Sequence, residues 1–328
     1  FCTLTEGIRG KRALEWNLVD ELVPRSKFKE CVIAKAHEYA LKSDRPSDQP
    51  GIKLEEIKRE ITDINITYQN VAVRIDREGK VARINIFGPR KTPPSDLKAI
   101  YTEGADFWPL AFARQLEDAI LHLRTNETDV GTWIFTSSGS ADYVAASDYA
   151  LTQNAENWFI REIILYLKRL FKRIDVSSRS VITLVEPGSC FIGMLLELVL
   201  CADRSYMLEG EFESDIQGHA VISPTALNFG PLTMGNGLTR LETRFLDQPN
   251  RVSDIKNHLG NKINALQANK LGIVTFTPDD IDAVTELLSP PDSKPQVTTE
   301  PFSLRAANPP ELATISLTPL VNLEDELP

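Results

Sequence analysis

Sulfur and imidazole are scarce in this chain of 328 residues, which has four cysteines, three methionines and four histidines. Cys2, Cys31, Cys190 and Cys201 are scattered and no pair has C-x-x-C spacing, which argues against a zinc ribbon or dithiol redox motif and points to a reduced thiol set. His37, His122, His219 and His258 stand alone, without H-E-x-x-H spacing, so they read as surface or core residues and no metal site is expected. Long apolar runs are also missing. The longest, residues 190–201, is interrupted by Glu197 and is too short to cross a bilayer. The first residues lack the charged-then-apolar pattern of a secretion signal, so a cytoplasmic protein with no membrane partner is expected. Positive charge is in deficit: 36 Lys and Arg against 46 Asp and Glu give a net charge of −10, which repels a phosphate backbone and disfavours nucleic acid as a partner. The glycine-rich run 230–237 lacks the Lys-Ser/Thr of a phosphate loop and the full dinucleotide fingerprint.

What is present is globular. Hydrophobic residues make up 42% and charged residues 25%, enough for one large domain or two smaller ones. Residues 1–24 read as a helix feeding a strand, and residues 28–42 as an amphipathic helix carrying Phe28, Val32, Ala36 and Ala40. A linker follows at 43–51, then a charged helix at about 54–61. The period then changes. Val71, Val73 and Ile75 alternate with polar residues, as do Ala82, Ile84 and Ile86, which predicts a hairpin opening a new unit. Beyond it helices (110–124, 158–174, 193–202) alternate with strands (132–136, 181–185), an α/β pattern. Trp158, Phe159, Leu167, Leu170 and Phe171 form a stripe at helical spacing, read as core or subunit contact. Eight of the twenty prolines fall after residue 289, so 283–328 is expected to be a Pro-rich, disordered tail.

The chain also echoes itself. Ala13-Leu14-Glu15-Trp16-Asn17-Leu18-Val19 and Ala268-Asn269-Lys270-Leu271-Gly272-Ile273-Val274 each read as a helix, a residue tolerant of left-handed geometry, and an apolar strand start. Read at face value, residues 1–60 end one unit and 68–282 are most of a second, similar one.

The chemistry is concentrated in residues 181–203, a strand, a turn (Glu186-Pro187-Gly188-Ser189), then Cys190-Phe191-Ile192-Gly193 opening an apolar helix. Unpaired N–H groups at such a helix start could cradle the developing oxyanion of a thioester. Glu197, four residues after Gly193, could move a proton at the neighbouring carbon. Equally, a nearby arginine or backbone donor could satisfy Glu197 without any catalysis. Arg9, Lys11 and Arg12 could meet the phosphates of a nucleotide-bearing thioester or form a solvated helix start.

This segment resembles the crotonase (enoyl-CoA hydratase/isomerase) superfamily, in which a strand and turn precede Gly-Gly-Gly-x-Glu-Leu-Ala-x-x-x-Asp. The match is Glu197-Leu198-Val199-Leu200-Cys201-Ala202-Asp203, with Gly193 kept but Met194 and Leu195 at the next two glycine positions. The resemblance implies catalysis by Glu197 and oxyanion donors at Gly193, Met194 and Ala145, the last from Tyr143-Val144-Ala145-Ala146-Ser147-Asp148, where the family has Phe-x-Ala-Gly-Ala-Asp. The family's second carboxylate falls at Thr225, which cannot serve as a carboxylate base.

Residues 1–24 resemble the point where a crotonase core passes into its C-terminal helices. Two such units in one chain, with the runs 1–13 and 107–111, resemble the benzoyl-CoA-dihydrodiol lyases (2,3-epoxybenzoyl-CoA dihydrolases). The implied fold is a crotonase-type spiral of ββα repeats, preceded by the C-terminal helices of a first unit and lacking its N-terminal part. The implied activity is ring-opening, formate-releasing cleavage of an aromatic CoA thioester in aerobic benzoate breakdown. Coenzyme A arrives on the substrate, with no bound cofactor, in a homo-oligomer expected to be a dimer. This second unit is expected to be degenerate and inactive alone. The alternatives are a scaffolding or dimerisation domain of that enzyme, or a weak acyl-CoA thioesterase or isomerase using Glu197 alone.

Overall fold

The structure, a computed structural model, describes residues 4–44, 51–210 and 218–279. The expected tail at 283–328 lies outside the described residues, as does Cys2.

Two helices come first, α1 (Gly10–Glu15) and α2 (Phe28–Leu41). A helix forms where one is expected, but no residue of α2 is buried among the described residues. The strand expected near residues 18–23 does not form, because no sheet edge pairs with it. The charged helix expected at 54–61 is also absent. Residues 51–59 form neither helix nor strand, with Ile52 and Ile57 packed against the core and the Glu55 carbonyl accepting from Arg114.

A seven-stranded sheet follows, in which every strand lies beside its neighbour in sequence. β1 (Glu60–Ile61), β2 (Asn65–Thr67), β3 (Val71–Asp76) and β4 (Val81–Phe87) are antiparallel. β3 and β4 are the predicted hairpin. Their alternation places Val71, Val73, Ile75, Ala82, Ile84 and Ile86 in the core. Its tight turn puts Lys80 at φ 56.

From β4 onward the connections cross over through helices and the strands run parallel. The helices α3 (Leu97–Glu103) and α4 (Trp108–Asn126) lead to β5 (Thr132–Ser138). α5 (Ala141–Gln153) and α6 (Trp158–Asp175) lead to β6 (Ser180–Val185). A single 3-10 turn (Gly193–Leu195) and α7 (Leu196–Leu200) lead to β7 (Arg204–Met207). Trp133, Ile134 and Phe135 in β5 are consecutive and all buried, as expected of a parallel strand covered on both faces. Three short helices complete the described chain: α8 (Arg240–Arg244), α9 (Pro249–Lys256) and α10 (Ala265–Lys270). Single bridges, Ile192 with Ser223 and Ile222 with Ile263, link the loops beside α7.

The α/β class is therefore borne out. Starts of helices are fixed by side-chain caps: Asp96 for α3, Ser140 for α5 and Asn157 for α6 each accept a first-turn N–H. α4 and α6 pack together, and Phe112, Leu116, Ile120, Ile163, Leu167 and Phe171 on them are all buried. Burying each such side chain is worth about 1.5–3 kcal/mol. Trp158 is only partly buried, so most of the predicted stripe is core. The cysteine thiols at Cys190 and Cys201 are unpaired, and burial pushes them up to about 11 and about 12, which leaves them unreactive near neutrality.

Candidate functional site

The turn that opens α7 is the centre of the candidate site. β6 delivers the chain to it, and the loop 223–229 covers it. Gly193 adopts φ +48, and a Cβ there would stand 1.6 Å from Asp148 Oδ2 and 2.5 Å from Thr225 Oγ1, so only glycine fits.

The backbone donors that could hold an oxyanion are all engaged within the protein. The Gly193 N–H donates to the Ser223 carbonyl at 2.9 Å. The Met194 N–H donates to Asp148 Oδ2 at 2.9 Å. Ala145 lies in the second turn of α5, where an N–H bonds to the carbonyl one turn back. The three residues expected to form a donor cradle thus do not present free N–H groups, and the reason for Ala145 is that its motif continues as helix.

Asp148 is the residue that fills the turn. It is fully buried on α5, and its Oδ2 also accepts from Thr225 Oγ1 at 2.5 Å, while Oδ1 has no partner. Burial pushes its carboxyl up to about 8 against the opposing pull of Thr225 and Met194, so the neutral acid prevails at pH 7. A neutral carboxyl costs less to bury than a carboxylate. Thr225 is a helix cap as well: its hydroxyl and the Asn228 amide form a reciprocal capping box.

Glu197 is buried, at 1% exposure. Its Oε2 accepts from Arg240 Nη1 at 2.7 Å and its Oε1 from Asn228 Nδ2 at 2.7 Å. Asn228 also donates to the Gly193 carbonyl at 2.8 Å, so one buried amide ties α7 to the Gly193 turn. Arg240 reaches back with Nε and Nη2 to both oxygens of Asp175 at 3.1 and 2.7 Å, a bidentate fork. Burial raises the carboxyls of Glu197 and Asp175, while Arg240 pulls both down. The side chain that meets Glu197 is thus an arginine, one of the two readings the sequence left open. Asp148 ends the 143–148 motif noted in the sequence, but neither it nor Asn228, Arg240 and Asp175 was expected to hold this turn. They lie 31 to 77 residues from the groups they hold.

Arg9, Lys11 and Arg12 stand exposed on α1, with the Arg12 guanidinium 4.6 Å from the Trp16 ring centroid. A separate open cleft of ≈ 570 Å³ lies at the carboxyl ends of β4, β5 and β6 and is lined by Asn85, Thr136, Ser138, Glu186 and Ser189 among others. Its lining holds an acid and no Lys or Arg, which suits polar groups better than phosphates. Among the described residues no group of three His, Cys, Asp or Glu side chains could hold a metal ion, and no helix is long and apolar enough to cross a membrane.

Comparison with known proteins gives this geometry a context. Over 287 residues, 88% of this chain, the sequence is 41% identical to a benzoyl-CoA-dihydrodiol lyase of Aromatoleum evansii. The chain is a relative of benzoyl-CoA-dihydrodiol lyase. It spans about half of that lyase, 51% of its length. No protein-family model matches the chain. Among solved structures, an enoyl-CoA hydratase of Geobacillus kaustophilus HTA426 is 17% identical, covers 69% of this chain and 76% of its own, and has a TM-score of 0.43. Pseudomonas aeruginosa AtuE is 16% identical over 67% of this chain and 74% of its own, with a TM-score of 0.44. The resemblance to the lyases noted in the sequence is therefore matched by a relative that carries that name.

Proposed function

We propose that this chain is the second, non-catalytic unit of a ring-cleaving lyase acting on an aromatic CoA thioester, with residues 1–60 forming the end of a first unit that carries the acid and base. The observation that carries the reading is the occupied turn. The Met194 N–H already holds a carboxyl oxygen from Asp148, and Glu197 is paired with Arg240 and hydrogen-bonded by Asn228. A thioester oxygen would have to displace a buried, hydrogen-bonded group to enter, at a cost of about 1–3 kcal/mol for each bond left unmade. Thr225 in place of a carboxylate supports the same conclusion, since its hydroxyl is spent on Asp148. Such a unit serves as a support for the first one, in a cytoplasmic homodimer whose substrate brings its own coenzyme A.

The competing reading, a weak thioesterase or isomerase built on Glu197 alone, requires that carboxylate to reach a substrate, and both of its oxygens are held by Arg240 and Asn228.

Calorimetric titration of benzoyl-CoA into the purified chain tests the proposal. The expected result is no saturable heat below about 1 mM. Binding in the micromolar range, with turnover of 2,3-epoxybenzoyl-CoA by the chain alone, would overturn it.

A further inference from the structure

The echo between the two ends of the sequence is repeated atom for atom in the backbone. At the end of α1 the N–H groups of Trp16, Asn17 and Leu18 donate to the carbonyls of Arg12, Leu14 and Ala13 at 3.0, 3.0 and 2.9 Å. At the end of α10 those of Leu271, Gly272 and Ile273 donate to Gln267, Asn269 and Ala268 at 2.9, 2.8 and 2.9 Å. The register is identical, and the left-handed residue is Asn17 (φ 53) in one and Gly272 (φ 74) in the other. Both are Schellman caps, whose purpose is to turn the chain sharply out of the helix in a fixed direction.

The two copies differ in what lies beyond the cap. After Gly272 the chain runs along the outer edge of β7. The Thr275 and Phe276 N–H groups donate to the Ser205 carbonyl, the Met207 N–H donates to the Phe276 carbonyl at 2.9 Å, and the Glu209 N–H donates to the Pro278 carbonyl at 2.9 Å. Ile273 and Val274 are thereby 0% and 4% exposed. Their counterparts Leu18 and Val19 are 42% and 41% exposed. Trp16, Leu22, Phe28, Val32 and Ile33 are likewise exposed around them. So many large apolar side chains left in water along one short segment mark an interaction surface.

We infer that residues 13–23 are a docking strand for the outer edge of the last parallel strand in a second β-sheet of this same fold, the position that 268–278 occupies on β7. The occupied copy supplies the geometry: the same cap, the same two apolar residues, then main-chain pairing that adds a strand to an open edge. A second copy of this chain does not offer that edge, because its own β7 is already covered by 273–276. The partner is therefore another unit with an uncovered edge. The inference rests on the proposal that residues 1–60 close a first unit.

Hydrogen exchange tests it, with the 328-residue chain and the full-length Aromatoleum evansii lyase measured side by side. In the chain alone, amides of residues 18–23 are expected to exchange at least 100-fold faster than those of 273–276. In the lyase, the segment aligned with 18–23 is expected to be as protected as the segment aligned with 273–276. Fast exchange of that segment in the intact lyase overturns the docking strand. So does protection in the chain alone that disappears on dilution, which would mean that a second copy covers it. As a control on packing, Leu18→Asp with Val19→Asp is expected to leave the melting temperature of the chain unchanged, whereas Ile273→Asp with Val274→Asp lowers it sharply. Equal losses from the two pairs would mean that residues 18 and 19 are already packed within the chain, and would also overturn the inference. The benzoyl-CoA titration reports on the non-catalytic reading independently, so either idea can fail while the other stands.

Discussion

Asp148 Oδ2 accepts from the Met194 N–H at 2.9 Å, which ties α5 to the turn that opens α7. The same oxygen accepts from Thr225 Oγ1 at 2.5 Å, so one buried carboxyl joins α5, the turn before α7 and the loop at Thr225. The joint therefore depends on a carboxyl that keeps its proton.

That dependence has a sign. Asp148 titrates near 3.8 when unfolded and is pushed up to about 8 by burial in the folded protein. Its contribution to stability is complete below about pH 4 and is lost as pH rises toward 8, by at most about 1.4 kcal/mol per pH unit. Asp148→Asn keeps an acceptor for Met194 and Thr225 and removes the titration. Urea unfolding of both proteins from pH 5 to 9 should give a difference that grows in favour of the variant as pH rises. A constant difference across that range would mean that Asp148 is not the group responsible.

Glu197→Gln should destabilise the fold. Both oxygens of Glu197 accept hydrogen bonds, from Arg240 and Asn228, and a glutamine amide would turn an N–H toward one of those donors. Breaking a buried charged pair in this way costs about 3–5 kcal/mol. Chemical denaturation at pH 7 measures it, and a loss under about 0.5 kcal/mol, within the range of ordinary surface changes, would show that the pair is not holding α7.

Removing the cation should be as costly, with a distinct pH signature. Arg240→Met leaves Glu197 and Asp175 buried without their shared partner, a loss of about 3–5 kcal/mol at pH 7. Both carboxyls are already raised by burial, so they take up protons readily once Arg240 is gone. Neutral acids tolerate burial better than carboxylates, so the deficit of the variant relative to the parent should shrink as pH falls from 7 to 5. A deficit that stays the same or widens on acidification would contradict the charge-burial account.

Gly193→Ala tests the tightness of the turn. The left-handed backbone alone costs about 1–2 kcal/mol for a non-glycine residue. The added methyl would also meet Asp148 Oδ2 at 1.6 Å. Combining it with Asp148→Ala should return part of the lost melting temperature, because one of the two clashing side chains is gone. If the double variant melts at the temperature expected from simple addition of the two losses, the clash with Asp148 is not the cause.

Much of the fold was legible because its signals are local. The alternation through β3 and β4, the apolar stripe of α6 and the strand before the Glu186–Ser189 turn each lie within one element. The charged stretch 54–61 predicts a helix that does not form, because the apolar spacing of Leu54, Ile57 and Ile61 fits a helical period without fixing one. Tertiary partners decided it, through the Glu55 carbonyl bound by Arg114, the Arg59–Asp118 pair and the pairing of β1 with β2. The Gly193–Glu197 turn was found through its motif, yet its state was not. That state is set by Asp148, Asn228 and Arg240, which reach it from separate elements and leave no mark in the sequence around Glu197.

The strictly sequential order of the sheet has a consequence for how the chain emerges from synthesis. Each strand can add to one already made, starting from the β3–β4 hairpin, so growth needs no late insertion between earlier strands. The outer side of β7 is the exception, since the segment that covers it, residues 273–276, follows some 70 residues later in the chain. Until that segment is made, the nascent sheet ends in an open row of amides and carbonyls, which makes this edge the stage at which misassociation between chains would begin.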